Sequence, residues 1–292
     1  PFLSFKDKDN TQDKDSTSKK SAQKAEPSIE VFAKAKTLNT SKKGGHLNNA
    51  IGYIKLSADN IIEQMELDAL SGESAVYLRY KPEQGSETMD FRLEADNAGS
   101  FLRAFDLYNN VIDGTIVIHG KAAKHGHPND IKGFAVIDDF MVINAPSLAR
   151  LLNAMTLTGM EDLLTAEGIN FDRLESNIKW LITDEGIRFN FDKGRTSGGA
   201  LGLTFQGNIY QGSRDEIDLN GTIIPISPIN KLVSKIPLLG HILTGGENQG
   251  IFAATYKIKG SSADAKTSVN PLSVLAPGIL RRILFESGTG EE

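Results

Sequence analysis

The sequence predicts a mainly β protein, a long curved antiparallel sheet with a few short amphipathic helices. Three observations point there. Hydrophobicity alternates with a period of two through most of the chain. Glycine is frequent, at 28 of 292 residues, while helix-favouring runs are few. Short loops of Gly, Asp, Asn and Ser, such as TDEGI and YQGSRDE, separate the alternating runs, which is the punctuation of a meander rather than of a βαβ series.

Residues 1–28, PFLSFKDKDNTQDKDSTSKKSAQKAEPS, read as a disordered charged linker. They offer no aliphatic spacing after Phe5, so they cannot bury enough apolar surface to offset the entropy of ordering. The folded part is expected over 29–285, with 286–292 as a flexible tail. Within it, QMELDAL places Met65, Leu67 and Ala69 on one side, and SAVYLRY follows as a strand. In TMDFRLEAD, Met89, Phe91, Leu93 and Ala95 alternate with Asp90, Arg92, Glu94 and Asp96, which gives a strand with one apolar and one wet face. GSFLRAF reads as a short helix capped by Ser100, with Phe101, Leu102 and Phe105 as its stripe. The strands GTIVIHG and GFAVIDDFMVI come next. APSLARLLNAMTLTGMEDLL then carries a helical stripe of Leu148, Leu151, Leu152 and Met155. NIKWLIT, GIRFNFD, ALGLTFQGNIY and EIDLNGTIIP are strands, followed by a helix in SPINKLVSKI that stops before Pro237. FAATYKIKG is the last strand, and NPLSVLAPGILRRILF closes the fold, interrupted at Pro277. Gly133, Gly207, Gly221 and Gly260 sit in or beside alternating runs, where glycine marks bends or bulges that curve a sheet.

Composition excludes several kinds of chemistry. There is no cysteine, so disulfides, thiolate metal sites and cysteine nucleophiles are absent together. With 32 basic and 37 acidic residues the net charge is -5, which disfavours a nucleic-acid partner. No apolar run reaches the roughly 18 residues needed to span a bilayer. His119, His125, His127 and Asp130 can be drawn as a metal site, but Gly126 and Pro128 favour a loop, so a polar hairpin tip is expected and no metal. Asp138–Asp139 and Glu161–Asp162 are adjacent pairs, and neighbours in a strand point to opposite faces, so these are expected as solvated or capping groups. TSGGALG and LTGGENQG lack the lysine and the strand–loop–helix setting of a phosphate cradle. No motif of nucleophilic, metal or nucleotide chemistry remains, so neither catalysis nor a cofactor is expected.

One stretch stands apart from the wet surface: SKIPLLGHILTGG, Ser234 to Gly246, which is apolar, glycine-broken and too short to cross a membrane. It belongs to a longer ordered series: VIDDFMVINAPSLARLLNAM, EGINFDRLESNIKW, GRTSGGALGLTFQGNIY, LNGTIIPISPINKLVSKIPLLGHILTGGENQGIFAATYKIKG and VNPLSVLAPGILRRILF. This series, from about Gly114 to Phe285, resembles the C-terminal region of the AsmA-like envelope proteins of Gram-negative bacteria, the branch that contains YhdP and, more distantly, TamB.

That resemblance implies a taco-like sheet with a hydrophobic groove and no catalytic residues. The implied function is a conduit for phospholipid between inner and outer membranes. It also implies a periplasmic location, with an inner-membrane anchor in an N-terminal segment absent from this chain. Alternation nominates Met89, Phe91, Leu93, Ile116, Ile118, Leu201, Leu203 and Phe205 as groove lining. Leu238, Leu239, Ile242 and Leu243, with Ile279, Leu280 and Ile283, are nominated as a lid or membrane contact, and ordinary core packing is the competing reading. A second function stays open: a scaffold for outer-membrane protein assembly that takes a client strand on an open sheet edge.

Overall fold

The computed structural model describes residues 28–41, 43–59, 61–123, 130–144, 168–183, 185–198, 201–213, 215–225, 254–261 and 264–270. These form thirteen strands: β1 (Ile29–Asn39), β2 (His46–Leu56), β3 (Ile62–Ser71), β4 (Ser74–Pro82), β5 (Thr88–Ala95), β6 (Val111–Ala123), β7 (Asp130–Val142), β8 (Ile169–Thr183), β9 (Gly186–Ser197), β10 (Leu201–Gly212), β11 (Glu216–Pro225), β12 (Ala254–Gly260) and β13 (Lys266–Asn270). One helix, α1 (Ala98–Ala104), lies between β5 and β6. The protein is mainly β, as the alternation predicts. All thirteen strands join a single sheet in sequence order, and each pairs antiparallel with the next.

Every second residue faces one side because side chains alternate along a strand, and pairing carries that side from strand to strand. One row can be followed across ten strands: Ala69, Val76, Ala95, Ile116, Ile137, Leu174, Thr196, Leu203, Ile223 and Ala254. A parallel row runs through Phe91, Gly120, Gly133, Ile178, Phe191, Gly207, Leu219 and Ile258. These rows define an apolar face whose buried residues form one continuous cluster from Leu47 to Tyr256.

The sheet curls, and particular residues make it do so. Asn49, Asp113, Asp139 and Lys193 have positive φ inside or beside strands, and Gly114 and Gly207 do too. At Asn49 and Lys193 the register of pairing shifts, as in a β-bulge. At Asp113, Gly114 and Asp139 the pairing skips one position without a change of register, and the buried positions change parity across it, from Val111 to Ile116 on β6 and from Ile137 to Phe140 on β7. The Asp138–Asp139 pair resolves here: Asp138 faces outward to Arg173, and Asp139 is exposed with a left-handed backbone rather than turned inward. Glycine supplies the second device. Phe91 on β5 reaches Trp180 on β8, three strands away, with centroids 5.0 Å apart and rings edge to face. The paired Gly120 and Gly133 lie between them and present no side chains.

The two rims of the sheet differ. The 83–87 connection of β4 to β5 lies on one rim, where β2, β6, β8, β10 and β12 also end. The other rim carries α1 and the short connections 40–45 and 72–73. Helix α1 starts one turn before the sequence predicts: Asn97, not Ser100, is its cap, and Asn97 Oδ1 accepts from the Ser100 amide at 2.8 Å. Phe101 and Ala104 are buried on its sheet-facing side, and Thr40 Oγ1 donates to the Ala104 carbonyl. Gln211, near the C-terminal end of β10, donates from Nε2 to the Asp106 carbonyl just after α1, at 2.5 Å. Opposite rims of the curled sheet therefore meet at that point.

Candidate functional site

The candidate site is the apolar face itself. The alternation in TMDFRLEA turns Met89, Phe91 and Leu93 inward, where all three are buried, and it pairs Phe91 with Tyr80 and Leu93 with Leu78 on β4. On β6, Ile116 is buried and Ile118 half-buried, opposite Ala95 and Leu93. On β10, Leu201 is buried, and Leu203 and Phe205 are half-buried opposite Ile223 and Gly221. The pairing therefore brings all eight nominated residues onto one face. Leu238, Leu239, Ile242, Leu243, Ile279, Leu280 and Ile283 lie outside the described residues, as do His125 and His127.

Aromatic rings occupy places that glycine opens. A Cβ on Gly194 would fall 2.4 Å from the Phe205 ring, so that ring lies directly over the glycine. Phe191 packs edge-on against Phe205 at 5.9 Å, and Phe140 stacks on Phe171 at 5.3 Å. Tyr256 crosses β11 at Gly221 and donates its hydroxyl to the Thr204 carbonyl on β10, 2.8 Å away. Burial pushes the Tyr256 phenol well above its ordinary value, so it remains a neutral donor. Around it, Gly194, Phe205, Gly221 and Tyr256, together with Lys193 and Arg195, border an open pocket of about 410 Å³.

Few polar groups interrupt the face, and most are satisfied. Ser176 Oγ donates to the carbonyls of Asn177 and Asp192, and Thr196 Oγ1 accepts from the Leu203 amide. Thr267, opposite Ile258, and Tyr80 are exceptions among the described residues. Tyr80 is almost fully buried in the row with Met65 and Phe91, and its hydroxyl has no hydrogen-bond partner. Burial also raises its pKa.

The opposite face is charged. Asp90 binds His119 Nε2 at 2.8 Å, Glu83 takes Lys121 at 2.7 Å, and Arg173 spans Asp138 and Glu175. Arg79 meets Asp68 at 2.5 Å, and Arg195 meets Glu175. Each exposed pair contributes only about 0–1 kcal/mol, so together they chiefly keep this face wet. The lysine bonds hold Glu83 below the usual carboxylate range, with Thr88 adding to the effect. Lys259, and then Lys257, do the same to Asp218.

Among the described residues no group of three or more His, Cys, Asp or Glu is placed to hold a metal ion, and no helix is long and apolar enough to cross a membrane. Such a site defines a class by its geometry: an open meander sheet with one apolar and one charged face. The chain matches no protein-family model, and neither curated proteins nor solved structures give a match.

Proposed function

We propose that this chain is a non-enzymatic conduit for phospholipid, with acyl chains sheltered in a groove formed by the curled apolar face. In this reading it works in the periplasm of a Gram-negative envelope, between inner and outer membranes, and is anchored through a segment N-terminal to this chain. Its partners are phospholipid, the membrane surfaces and other envelope proteins. The observation that carries the proposal is the apolar row from Ala69 to Ala254, which crosses ten strands without a charged residue while the reverse face is lined with ion pairs.

The energetics favour such a surface for lipid. At ~0.8 kcal/mol per methylene, two acyl chains of ~15 methylenes would cost ~24 kcal/mol to leave in water. A sheet apolar on one side offers that shelter without a catalytic or polar site. Thirteen strands leave twelve gaps, and at ~4.8 Å each the face extends ~58 Å along the sheet. That length exceeds one lipid and suits a path along which several move in file.

Photo-crosslinking amino acids test this directly. Placed at Met89, Phe91, Leu93, Ile116, Ile118, Leu201, Leu203 or Phe205, they should capture phospholipid that mass spectrometry identifies. Placed at Asp90, Arg92 or Thr204, on the charged face, they should not. Equal capture by the two sets would overturn the groove.

A further inference from the structure

The open pocket beside Gly221 belongs to the charged face. Outward residues of two neighbouring rows border it, Arg195, Thr204, Thr222 and Thr255 in one, Gln206 and Asn220 in the other. The inward residues of the adjoining rows, Leu203, Ile223, Gly207 and Leu219, do not border it. At about 410 Å³ it falls within the size range of small-molecule sites, about 300–1,000 Å³.

The strands divide its chemistry between them. β9 supplies the cations. Lys193, at the bulge with its positive φ, has no ion-pair partner among the described residues, and Arg195 is held by Glu175. β10 and β11 supply uncharged groups. Gln206 Nε2 donates to Asn220 Oδ1 at 3.2 Å, which leaves the Gln206 carbonyl oxygen to accept and the Asn220 amide to donate. Thr222 is only 7% exposed. Its N–H donates to Thr204 Oγ1, and its own hydroxyl has no hydrogen-bond partner among the described residues. A buried hydroxyl ordinarily has a partner, so this one is left for an occupant of the pocket. No carboxylate borders the pocket. Glu175 is shared by Arg173 and Arg195, and Asp218 is taken by Lys257 and Lys259. Asp192 is exposed next to Lys193 and offsets part of its charge, so binding there is weak and Asp192 opposes it.

We infer that this pocket takes a small soluble ligand with one anionic group and adjacent hydroxyls, a sugar acid or a sugar phosphate. The anion meets Lys193 and Arg195, and the hydroxyls meet Gln206, Asn220 and Thr222. Spacing selects such a ligand over a bare anion. β9 and β11 are two ladder steps apart, ~10 Å at ~4.8 Å each, so a lone phosphate on Lys193 leaves the Thr222 hydroxyl and the amide pair unfilled. The site lies on the face opposite the proposed lipid groove and is independent of whether that groove carries lipid.

The test titrates the full isotope-labelled chain with glucuronate, glucose-6-phosphate, glucose and inorganic phosphate, and follows amide shifts by NMR. The two charged sugars should shift residues 193–195, 204–206 and 220–222 and leave β5 and β6 unchanged. They should bind at least fivefold more tightly than glucose or inorganic phosphate. Lys193→Gln should weaken the charged sugars at least fivefold, and Asp192→Asn should tighten them. Thr222→Val keeps the shape without the hydroxyl and should weaken both at least threefold, with the β5 and β6 amides confirming its fold. Three results would overturn the inference: no shift from either charged sugar at millimolar concentration, glucose or inorganic phosphate binding as tightly as they do, or either Lys193→Gln or Thr222→Val binding them like the parent.

Discussion

Replacing Gly133 with alanine tests whether close backbone approach shapes the sheet. A Cβ there would lie 2.3 Å from the His119 carbonyl oxygen and 2.8 Å from the Gly120 Cα. Both obstacles are backbone of the neighbouring strand β6, so no side-chain rotation relieves them and the strands must part by about 1 Å. Overpacking of this kind costs about 1–3 kcal/mol. A loosened ladder hydrogen bond adds about 0.5–1.5 kcal/mol. Stiffening the unfolded chain returns about 0.4–1 kcal/mol. The expected net loss is therefore ~2–3 kcal/mol. Gly52 supplies the control, because a Cβ there meets nothing closer than the Glu66 carbonyl oxygen at 3.8 Å. Gly52→Ala should stabilise by about 0.4–1 kcal/mol, since only the unfolded-state effect remains. Urea unfolding of both variants, followed by circular dichroism, should move the two midpoints in opposite directions. A Gly133→Ala protein as stable as the parent would refute the argument that glycine sets the curl.

Trp180 is the only tryptophan, and it sits on the apolar face against Phe91, so phospholipid with brominated acyl chains should quench its emission; identical spectra with and without bromine would count against lipid on this face. Tyr256→Phe removes the hydroxyl that bridges to the Thr204 carbonyl and should cost about 1–2 kcal/mol in urea unfolding; a cost near zero would show that the bridge does not hold β10 to β12. Acid should weaken the fold through carboxylates whose folded pKa lies below the ordinary one. Glu83, held down by Lys121, stabilises above its ordinary 4.5, and this contribution fades as pH falls through its lower folded value. Thermal midpoints measured from pH 7 to pH 3 should accordingly fall less steeply below pH 4.5 for Glu83→Gln than for the parent.

Strand β5 was fully legible in the sequence because its inward residues are uniformly apolar and its outward ones charged, so burial and pattern agree from Met89 to Ala95. The alternation also carried Ile116, Ile118, Leu203 and Phe205 to the correct side without any knowledge of pairing. Three strands escaped it for physical reasons. β1 has no buried face to impose a period, and β13 is five residues of mostly polar sequence. In β2 the left-handed Asn49 reverses parity, so Leu47 and Ala50 are both buried although three residues apart. The same effect at Asp139 defeated the rule that adjacent carboxylates face opposite ways. The α1 cap was misplaced because Asn97 and Ser100 are both good capping residues, and only the turn geometry after β5 chooses Asn97. The role of Tyr80 was invisible too, since nothing in SAVYLRY says that its hydroxyl is buried without a partner.

The strict sequence order of the strands also makes the molecule extensible. Each strand leans chiefly on the one before and the one after, as units do in a solenoid, so stability accumulates link by link rather than residing in one indivisible core. Inserting or removing a hairpin changes the reach of the sheet by ~10 Å and leaves the cross-section elsewhere untouched. A lineage that needs to bridge a wider or narrower gap can therefore adjust length by whole hairpins, with the bulges and glycines of each strand carrying the curl along with them.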